Sequence, residues 1–395
     1  MRDKLIGFLK RSPFILQVCW KSAKYILICW RRILKKQPKT IIFSSFGGRK
    51  FDDSPKAIYD EICSRQEFND YKLVWAFVEP EKFELQRGEK VRIDTYEFFK
   101  TLLKAGIWVG NSEIDRGIGL HFKDVLSIET WHGTPLKKIG GEENQNTLGG
   151  KVKHSKKKDS STIRCAQSDF DKEIFARIFD ADENSILLTD LPRNDKLFRY
   201  SSNEIEEIKR NLNIPNDKKV ILYTPTYREF LVDSDNENYI APPIDLKKWQ
   251  NILGSEYVFL IRAHYAVNKA LNIKDNEFIK DVSTYPCLND LYIISDLMIS
   301  DYSSTYFDYS ILDRPMFCFA YDLEEYEEKR GLYLNLYDTL PCNVMRTEDE
   351  LIDEILNCDY KESSNKTKKF HERFAPYAGN ASSRVVDEIE RRLNI

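Results

Sequence analysis

No Cys-x-x-Cys pair occurs among the eight cysteines of this 395-residue chain, and no Cys/His spacing matches a zinc site. Several cysteines sit in apolar runs, as in Met316-Phe317-Cys318-Phe319. They read as reduced core residues of a cytosolic protein. Histidine is scarce, with five in the chain, so each one at a structured turn counts. No run approaches the roughly 20 mostly apolar residues a spanning helix needs. No small-residue cleavage site follows the first apolar stretch, which argues against a signal peptide. Internal repeats and recognised nucleic-acid motifs are also lacking.

The net charge of −3 conceals an asymmetry. Residues 1–40 hold eleven Lys/Arg and the single acid Asp3, leaving a strongly acidic remainder. A basic arm on an acidic body predicts a local electrostatic partner for the arm. Leu5, Phe8 and Leu9 recur at helical spacing before Pro13. Beyond it, Phe14, Ile15, Val18, Cys19, Ile26, Cys29, Trp30 and Ile33 line one side of a second helix. Lys21, Lys24, Arg31, Arg32, Lys35 and Lys36 interrupt or follow that stripe. Such an amphipathic arm fits an anionic membrane surface, with packing on the body as the competing reading.

Past residue 40, strand-like and helix-like segments alternate, which indicates α/β architecture with parallel sheets. One set of apolar runs comprises Thr40–Phe46, Lys72–Val78, Gly106–Asn111, Val125–Thr130 and Thr162–Ser168. A second comprises Val220–Thr226, Tyr257–Ala263, Leu297–Ser300 and Pro315–Ala320. Ser54–Ser64 and Asn203–Leu212 are among the helical stretches between them. The expected organisation is an arm (1–39) and two α/β domains (40–200 and 216–395). Two doubly wound domains of this kind face each other across a cleft, with ligands beyond the carboxyl ends of the strands.

Three constellations fall at such strand ends. In Trp131-His132-Gly133-Thr134-Pro135-Leu136-Lys137, a strand runs into a tight turn that carries His132, suited to general-base work. In Arg262-Ala263-His264, alternate residues follow a buried strand and share one face of it. Both can donate to phosphate oxygens. In Ser300-Asp301-Tyr302-Ser303-Ser304-Thr305, a strand passes into a helix whose hydroxyls and amides suit an anion. That turn lacks the glycine-rich signature of a nucleotide-binding P-loop. Tyr223-Thr224-Pro225-Thr226-Tyr227-Arg228 also sits just past a strand. Two loop segments have bland readings. Asp233-Ser234-Asp235 is a formal D-x-D in an acidic loop, and no required metal is predicted from it. Lys151–Lys158, with His154, is a charged loop whose alternative role is a phosphate-attracting flap.

Taken together, Trp131–Lys137, Arg262-Ala263-His264 and Ser300–Thr305 resemble the CDP-glycerol glycerophosphotransferase family, which contains wall teichoic acid primases and polymerases and related capsule enzymes. Asp53-Ser54-Pro55-Lys56-Ala57-Ile58-Tyr59, Pro192-Arg193-Asn194-Asp195, Arg314-Pro315-Met316 and Arg330-Gly331-Leu332-Tyr333 extend the likeness over roughly residues 40–385. Two positions depart from the pattern. Asp190 stands where a glycine is common, and Ala378 where an aspartate is.

The resemblance implies a GT-B-like fold, a peripheral location on the cytoplasmic face of the cell membrane, and metal- and cofactor-independent transfer of a polyol phosphate. The donor would be CDP-glycerol or CDP-ribitol. The acceptor would be a lipid-linked saccharide or polymer in teichoic acid or capsule synthesis. It casts His132 as base and His264 as a pyrophosphate ligand. Arg262, Asp301, Ser303, Ser304, Thr305, Thr226, Arg228 and Arg330 become candidate donor contacts. Gly133, Thr134 and Lys137 form the turn on the acceptor side. Self-association is compatible with this reading, and nucleic acid is not an expected partner. The alternatives are a GT-B glycosyltransferase using a nucleotide sugar, and a non-catalytic membrane- or polymer-binding scaffold.

Overall fold

The computed structural model describes residues 13–144, 161–228 and 241–395. Leu5, Phe8, Leu9, the Lys151–Lys158 loop with His154, and Asp233-Ser234-Asp235 lie outside the described residues. So do the side chains of Phe14, Ile15 and Cys19.

The first lobe is built on β1 (Gln37–Ser44), β2 (Lys72–Phe77), β3 (Glu89–Arg92), β4 (Ala105–Gly110), β5 (Leu126–Glu129), β6 (Thr162–Ala166) and β7 (Ile186–Leu188). The second is built on β8 (Lys219–Thr224), β9 (Tyr257–Ile261), β10 (Ile279–Asp281), β11 (Leu297–Ser300), β12 (Met316–Phe319) and β13 (Val344–Met345). Strand order is β3-β2-β1-β4-β5-β6-β7 in one sheet and β10-β9-β8-β11-β12-β13 in the other. Every pairing is parallel. Central strands are buried on both faces, which is why they read as unbroken apolar runs. All nine predicted strands are present. The four that the apolar runs miss, β3, β7, β10 and β13, are the four sheet edges. β3 is Glu89-Lys90-Val91-Arg92, mostly exposed. Charge on an edge discourages pairing with foreign strands and erases the apolar signature.

The strand order reverses direction between β1 and β4 in one lobe, and between β8 and β11 in the other. These switch points define where a ligand crevice opens. The lobes do not divide cleanly in sequence. The last helix, Ala381–Leu393, buries Val385, Val386 and Ile389 against Ile41 and Phe43 in the first lobe's core. The expected unit 216–395 is corrected there, because an apolar helix stripe must cover whichever sheet face is open. In the opposite sense, Leu136 from the first lobe is 1% exposed within the second lobe's core.

The helix Pro13–Ile33 begins at a proline, where the missing N–H costs nothing. No described helix is long and apolar enough to cross a membrane. Leu27, Ile28, Trp30 and Leu34 pack on the first lobe beside Trp108 and Phe122. Arg31, expected in the basic face, is instead buried. It donates to the Leu103 carbonyl, pairs with Asp124 at 3.0 Å and lies 4.2 Å over the Phe122 ring. Val18, Trp20, Tyr25, Ile26 and Ile33 remain exposed on the other side.

The two departures from the family pattern meet at one place. Asp190 adopts φ 61°, the left-handed backbone that favours glycine, and Ala378 adopts φ 55°. The Asp190 carboxylate accepts from the backbone N–H groups of Tyr377 and Gly379, which flank Ala378.

Candidate active site

At the first switch point the chain leaves β1 through Phe46-Gly47-Gly48, all three at positive φ. Asn111, just past β4, secures this turn. Its Oδ1 accepts from the Phe46 N–H at 2.8 Å, and the Ser112 hydroxyl accepts from Gly47 at 3.1 Å. The same residue reaches His132, which follows β5. His132 Nδ1 lies 3.0 Å from the Asn111 carbonyl oxygen. A carbonyl oxygen can only accept, so Nδ1 carries the proton and Nε2 keeps its lone pair. The imidazole stacks on Trp131 with centroids 4.2 Å apart, and it has Phe46 at 6.1 Å. Crowding by the cleft walls desolvates the ring and holds its pKa below the ordinary histidine value, against the opposing pull of the Asn111 carbonyl and Asp53.

The turn after His132 is locked from behind. Thr134 is 1% exposed; its hydroxyl donates to Asp171 Oδ2 at 3.0 Å and accepts from Gln167 Nε2 at 2.9 Å. Thr134 therefore shapes the turn and does not face an acceptor. Gly133 has φ 143°, and a Cβ there would stand 2.6 Å from Ser304 Oγ of the second lobe. Only glycine allows the lobes this approach. Beyond it, Lys137 bridges antiparallel to Leu332, and the Tyr333 N–H donates to the Leu136 carbonyl at 2.9 Å. The Arg330-Gly331-Leu332-Tyr333 segment is thus zipped to the histidine turn. Arg330 Nη2 lies 4.0 Å from Glu143.

Asp171 is fully buried, and Oδ1 has no hydrogen-bond partner. Desolvation raises its pKa to about 7, despite hydrogen bonds from Gln167 and Thr134. A carboxyl raised from its unfolded value stabilises the fold below that value and loses the contribution as pH rises through the folded one. Each pH unit between the ordinary carboxyl value of about 4 and about 7 should remove on the order of 1 kcal/mol, with no further loss above. Asp171→Asn, a mimic of the protonated acid, should flatten this loss. Thermal melts of both proteins from about pH 4 to 8 test it; parallel curves below about pH 7 would contradict the assignment.

In the second lobe, Arg262 and His264 follow β9, which ends at Ile261. They do not share a strand face as expected. The Arg262 Nη1 donates to the carbonyls of Tyr285 at 2.7 Å and Val282 at 3.4 Å. His264 is exposed and stacks on Tyr227, with centroids 4.3 Å apart. Lys50, which the motif reading passed over, approaches Arg262 from the other lobe. Its Nζ lies 5.2 Å from the Phe46 centroid. Desolvation lowers the Lys50 pKa first and the Arg262 charge second, and desolvation also lowers Arg262. Two lobes thus converge cations on one crevice, with Asp52 as a nearby acid, an arrangement suited to phosphate.

The turn at 300–305 is divided in role. Ser300 and Thr305 tie into Thr224 through hydroxyl contacts of 3.1–3.3 Å. Ser303 Oγ accepts from the Thr305 N–H at 3.2 Å. Ser304 precedes the helix Thr305–Ser310 without capping it by its side chain. Asp301 and Arg228, expected as donor contacts, are structural instead. Asp301 accepts from the N–H groups of Thr226 and Tyr302 and from Arg228 Nη1 at 2.9 Å. Arg228 also pairs with Asp322 at 2.7 and 2.9 Å and donates to the Thr226 carbonyl. Burial opposes its charge, yet these acids hold its pKa above the ordinary arginine value. Thr226 contributes its N–H to this lock, while its buried hydroxyl has no partner.

The lobes are joined at Arg193, a connection visible in the sequence only as part of Pro192-Arg193-Asn194-Asp195. Its Nη1 donates to Asp53 at 2.7 Å and to the His132 carbonyl at 3.0 Å, and its Nη2 to Asp308 at 2.6 Å. Among the described residues, no cluster of three His, Cys, Asp or Glu side chains forms a metal site.

Residues 26–391 match the family described as CDP-Glycerol:Poly(glycerophosphate) glycerophosphotransferase. The teichoic acid glycerol-phosphate transferase of Staphylococcus aureus is 33% identical over 379 residues, 91% of this chain and 95% of its own. The teichoic acid poly(glycerol phosphate) polymerase of Staphylococcus epidermidis is 35% identical over 367 residues, and the chain spans 50% of that relative's length. A structure of a variant of the wall teichoic acid polymerase TagF, soaked with CDPG, superposes with a TM-score of 0.84 at 32% identity, covering 100% of this chain and 98% of that one. With sequence, fold and strand-end motifs in agreement, the chain belongs to the CDP-glycerol:poly(glycerophosphate) glycerophosphotransferase family.

Proposed function

We propose that this protein transfers glycerol phosphate from CDP-glycerol to a hydroxyl of a lipid-linked acceptor, releasing CMP, in teichoic acid synthesis. The observation that carries the reading is His132. Its Nδ1–H is spent on the Asn111 carbonyl, so Nε2 is the available base at the junction of the lobes. The acceptor hydroxyl attacks the phosphorus bearing glycerol; the bond from that phosphorus to the CMP oxygen breaks; Nε2 takes the hydroxyl proton. Lys50, Arg262, His264, Ser303 and Ser304 offset charge on the pyrophosphate. Phosphoryl transfer depends mainly on positioning and charge stabilisation, so no covalent step is needed. Side by side assays of CMP release from CDP-glycerol, CDP-ribitol and UDP-sugars test donor choice. Release from UDP-sugars alone would replace this reading with an ordinary glycosyltransferase.

The amino-terminal helix supports peripheral attachment to the cytoplasmic face of the membrane. Trp20, Tyr25, Ile26 and Ile33 are exposed beside Lys21, Lys24 and Arg32. Each cation near an anionic leaflet contributes on the order of 1 kcal/mol. Flotation with vesicles containing anionic lipid should recover the protein at low salt. Replacing Tyr25, Ile26 and Ile33 with Glu should release it without loss of stability. Unchanged flotation of that variant would argue against this face.

A further inference from the structure

We propose that Arg193 is a positioning residue for the transfer, holding the His132 main chain in register with the Ser303-Ser304 turn of the opposite lobe. The inference rests on the proposed function. Its guanidinium touches three groups that no other described residue brings together. Asp53 and the His132 carbonyl belong to the first lobe, and Asp308 belongs to the helix that follows Ser304. The main chain of Arg193 is pinned in the same two directions. Its N–H donates to Ser54 Oγ at 3.4 Å, and its carbonyl accepts from Asn289 Nδ2 at 2.7 Å. Asp308 is saturated, because its second oxygen accepts from Asn194 Nδ2 at 2.7 Å.

The packing leaves little slack. The side chains of Arg193, Asp53 and Asp308 are 12%, 6% and 2% exposed. Ser304 Oγ and Arg193 Nη2 would lie 2.6 and 3.4 Å from a Cβ at Gly133. A buried ion triad contributes little net stability compared with apolar packing of the same volume. What it does provide is direction: a planar fork with fixed N–H vectors cannot satisfy three acceptors in any other arrangement of the lobes. Arg193 thereby fixes where the imidazole stands relative to the phosphate-side turn, without touching the reacting atoms.

The charged groups facing His132 are Asp53, Arg193 and Lys137, together with the Asn111 carbonyl dipole. Removing Arg193 deletes one cation and leaves Asp53 without its partner. Both changes favour the imidazolium. Arg193→Gln should therefore lower kcat about 100-fold. The KM for CDP-glycerol should change little, and the acidic limb of kcat/KM should move to higher pH. Arg193→Lys keeps the charge but cannot bridge three acceptors, so the limb should stay near its wild-type position while kcat remains depressed. Asp308→Asn cuts the second-lobe anchor alone and should depress kcat without moving the limb.

The His132 titration is read independently of turnover by NMR of histidine-labelled protein, assigned with His132→Gln. An upward shift in Arg193→Gln, absent in Arg193→Lys, is the expected result. Turnover of Arg193→Gln within about threefold of wild type overturns the assignment. An unmoved His132 titration with melting alone affected overturns it too, as a purely structural ion pair would give. Should Arg193→Gln not fold, the other two variants decide the matter by depressed or normal kcat. Wild-type protein that leaves CDP-glycerol intact contradicts the proposed function instead, and the NMR comparison still decides the role of Arg193.

Discussion

Replacing His132 with alanine is expected to lower glycerol phosphate transfer about 100- to 10,000-fold, the usual cost of removing a general base. The fold should survive. The side chain makes one hydrogen bond, to the Asn111 carbonyl, so its loss costs about 1 kcal/mol. Gly133 and Thr134 hold the turn without it. The pH dependence follows from the direction of the shift. Desolvation keeps the imidazole neutral below the pH at which an ordinary histidine protonates. Activity should therefore persist into mildly acidic solution and fall only as pH drops through that lowered value. His132→Gln should lose the acidic limb along with the activity. Near-normal turnover of either variant, with an intact fold, would remove His132 from the chemistry.

Arg228→Met should act on stability before it acts on donor binding. The change leaves Asp301 and Asp322 buried without their cation. Breaking a buried pair from one side typically costs about 3–5 kcal/mol. The stacked rings of Tyr302 and Tyr326 also lose a guanidinium, which sits 4.8 and 5.2 Å from their centroids. Melting should fall by on the order of 10 °C for a lobe of this size. The KM for CDP-glycerol should stay within a few-fold in the fraction that remains folded. Calorimetry alongside initial rates separates the outcomes. Wild-type melting with a raised donor KM would return Arg228 to the role of phosphate ligand that its place after a strand first suggests.

Those two residues illustrate what could be read from the sequence. A strand running into Gly-Thr-Pro announces His132, because alternation of apolar runs locates strand ends and strand ends locate the crevice. Arg228 sits at an equally good strand end, yet its acids, Asp301 and Asp322, lie 73 and 94 residues away. No local pattern encodes such a partner. Asn111 was legible only as the end of a strand; its role comes from two contacts made across the sheet's switch point. The edge strands were invisible for a different reason: β3 is charged and mostly exposed, while β7, β10 and β13 are only two or three residues long, too short to show a strand period. The return of Ala381–Leu393 to the first lobe is likewise a matter of which sheet face stands uncovered. Asp190 and Ala378 look like two independent departures in sequence and prove to be neighbours in space, with the Asp190 carboxylate on the N–H groups that flank Ala378.

The most direct test of the account is mass spectrometry of a lipid-linked acceptor after incubation with CDP-glycerol and the purified protein. The account predicts that the acceptor gains glycerol phosphate units in step with CMP release, and that His132→Ala leaves it unmodified. The number of units added distinguishes a single priming transfer from polymerisation. An acceptor unchanged by the wild-type protein with either CDP-glycerol or CDP-ribitol, or one modified equally well by His132→Ala, would contradict it.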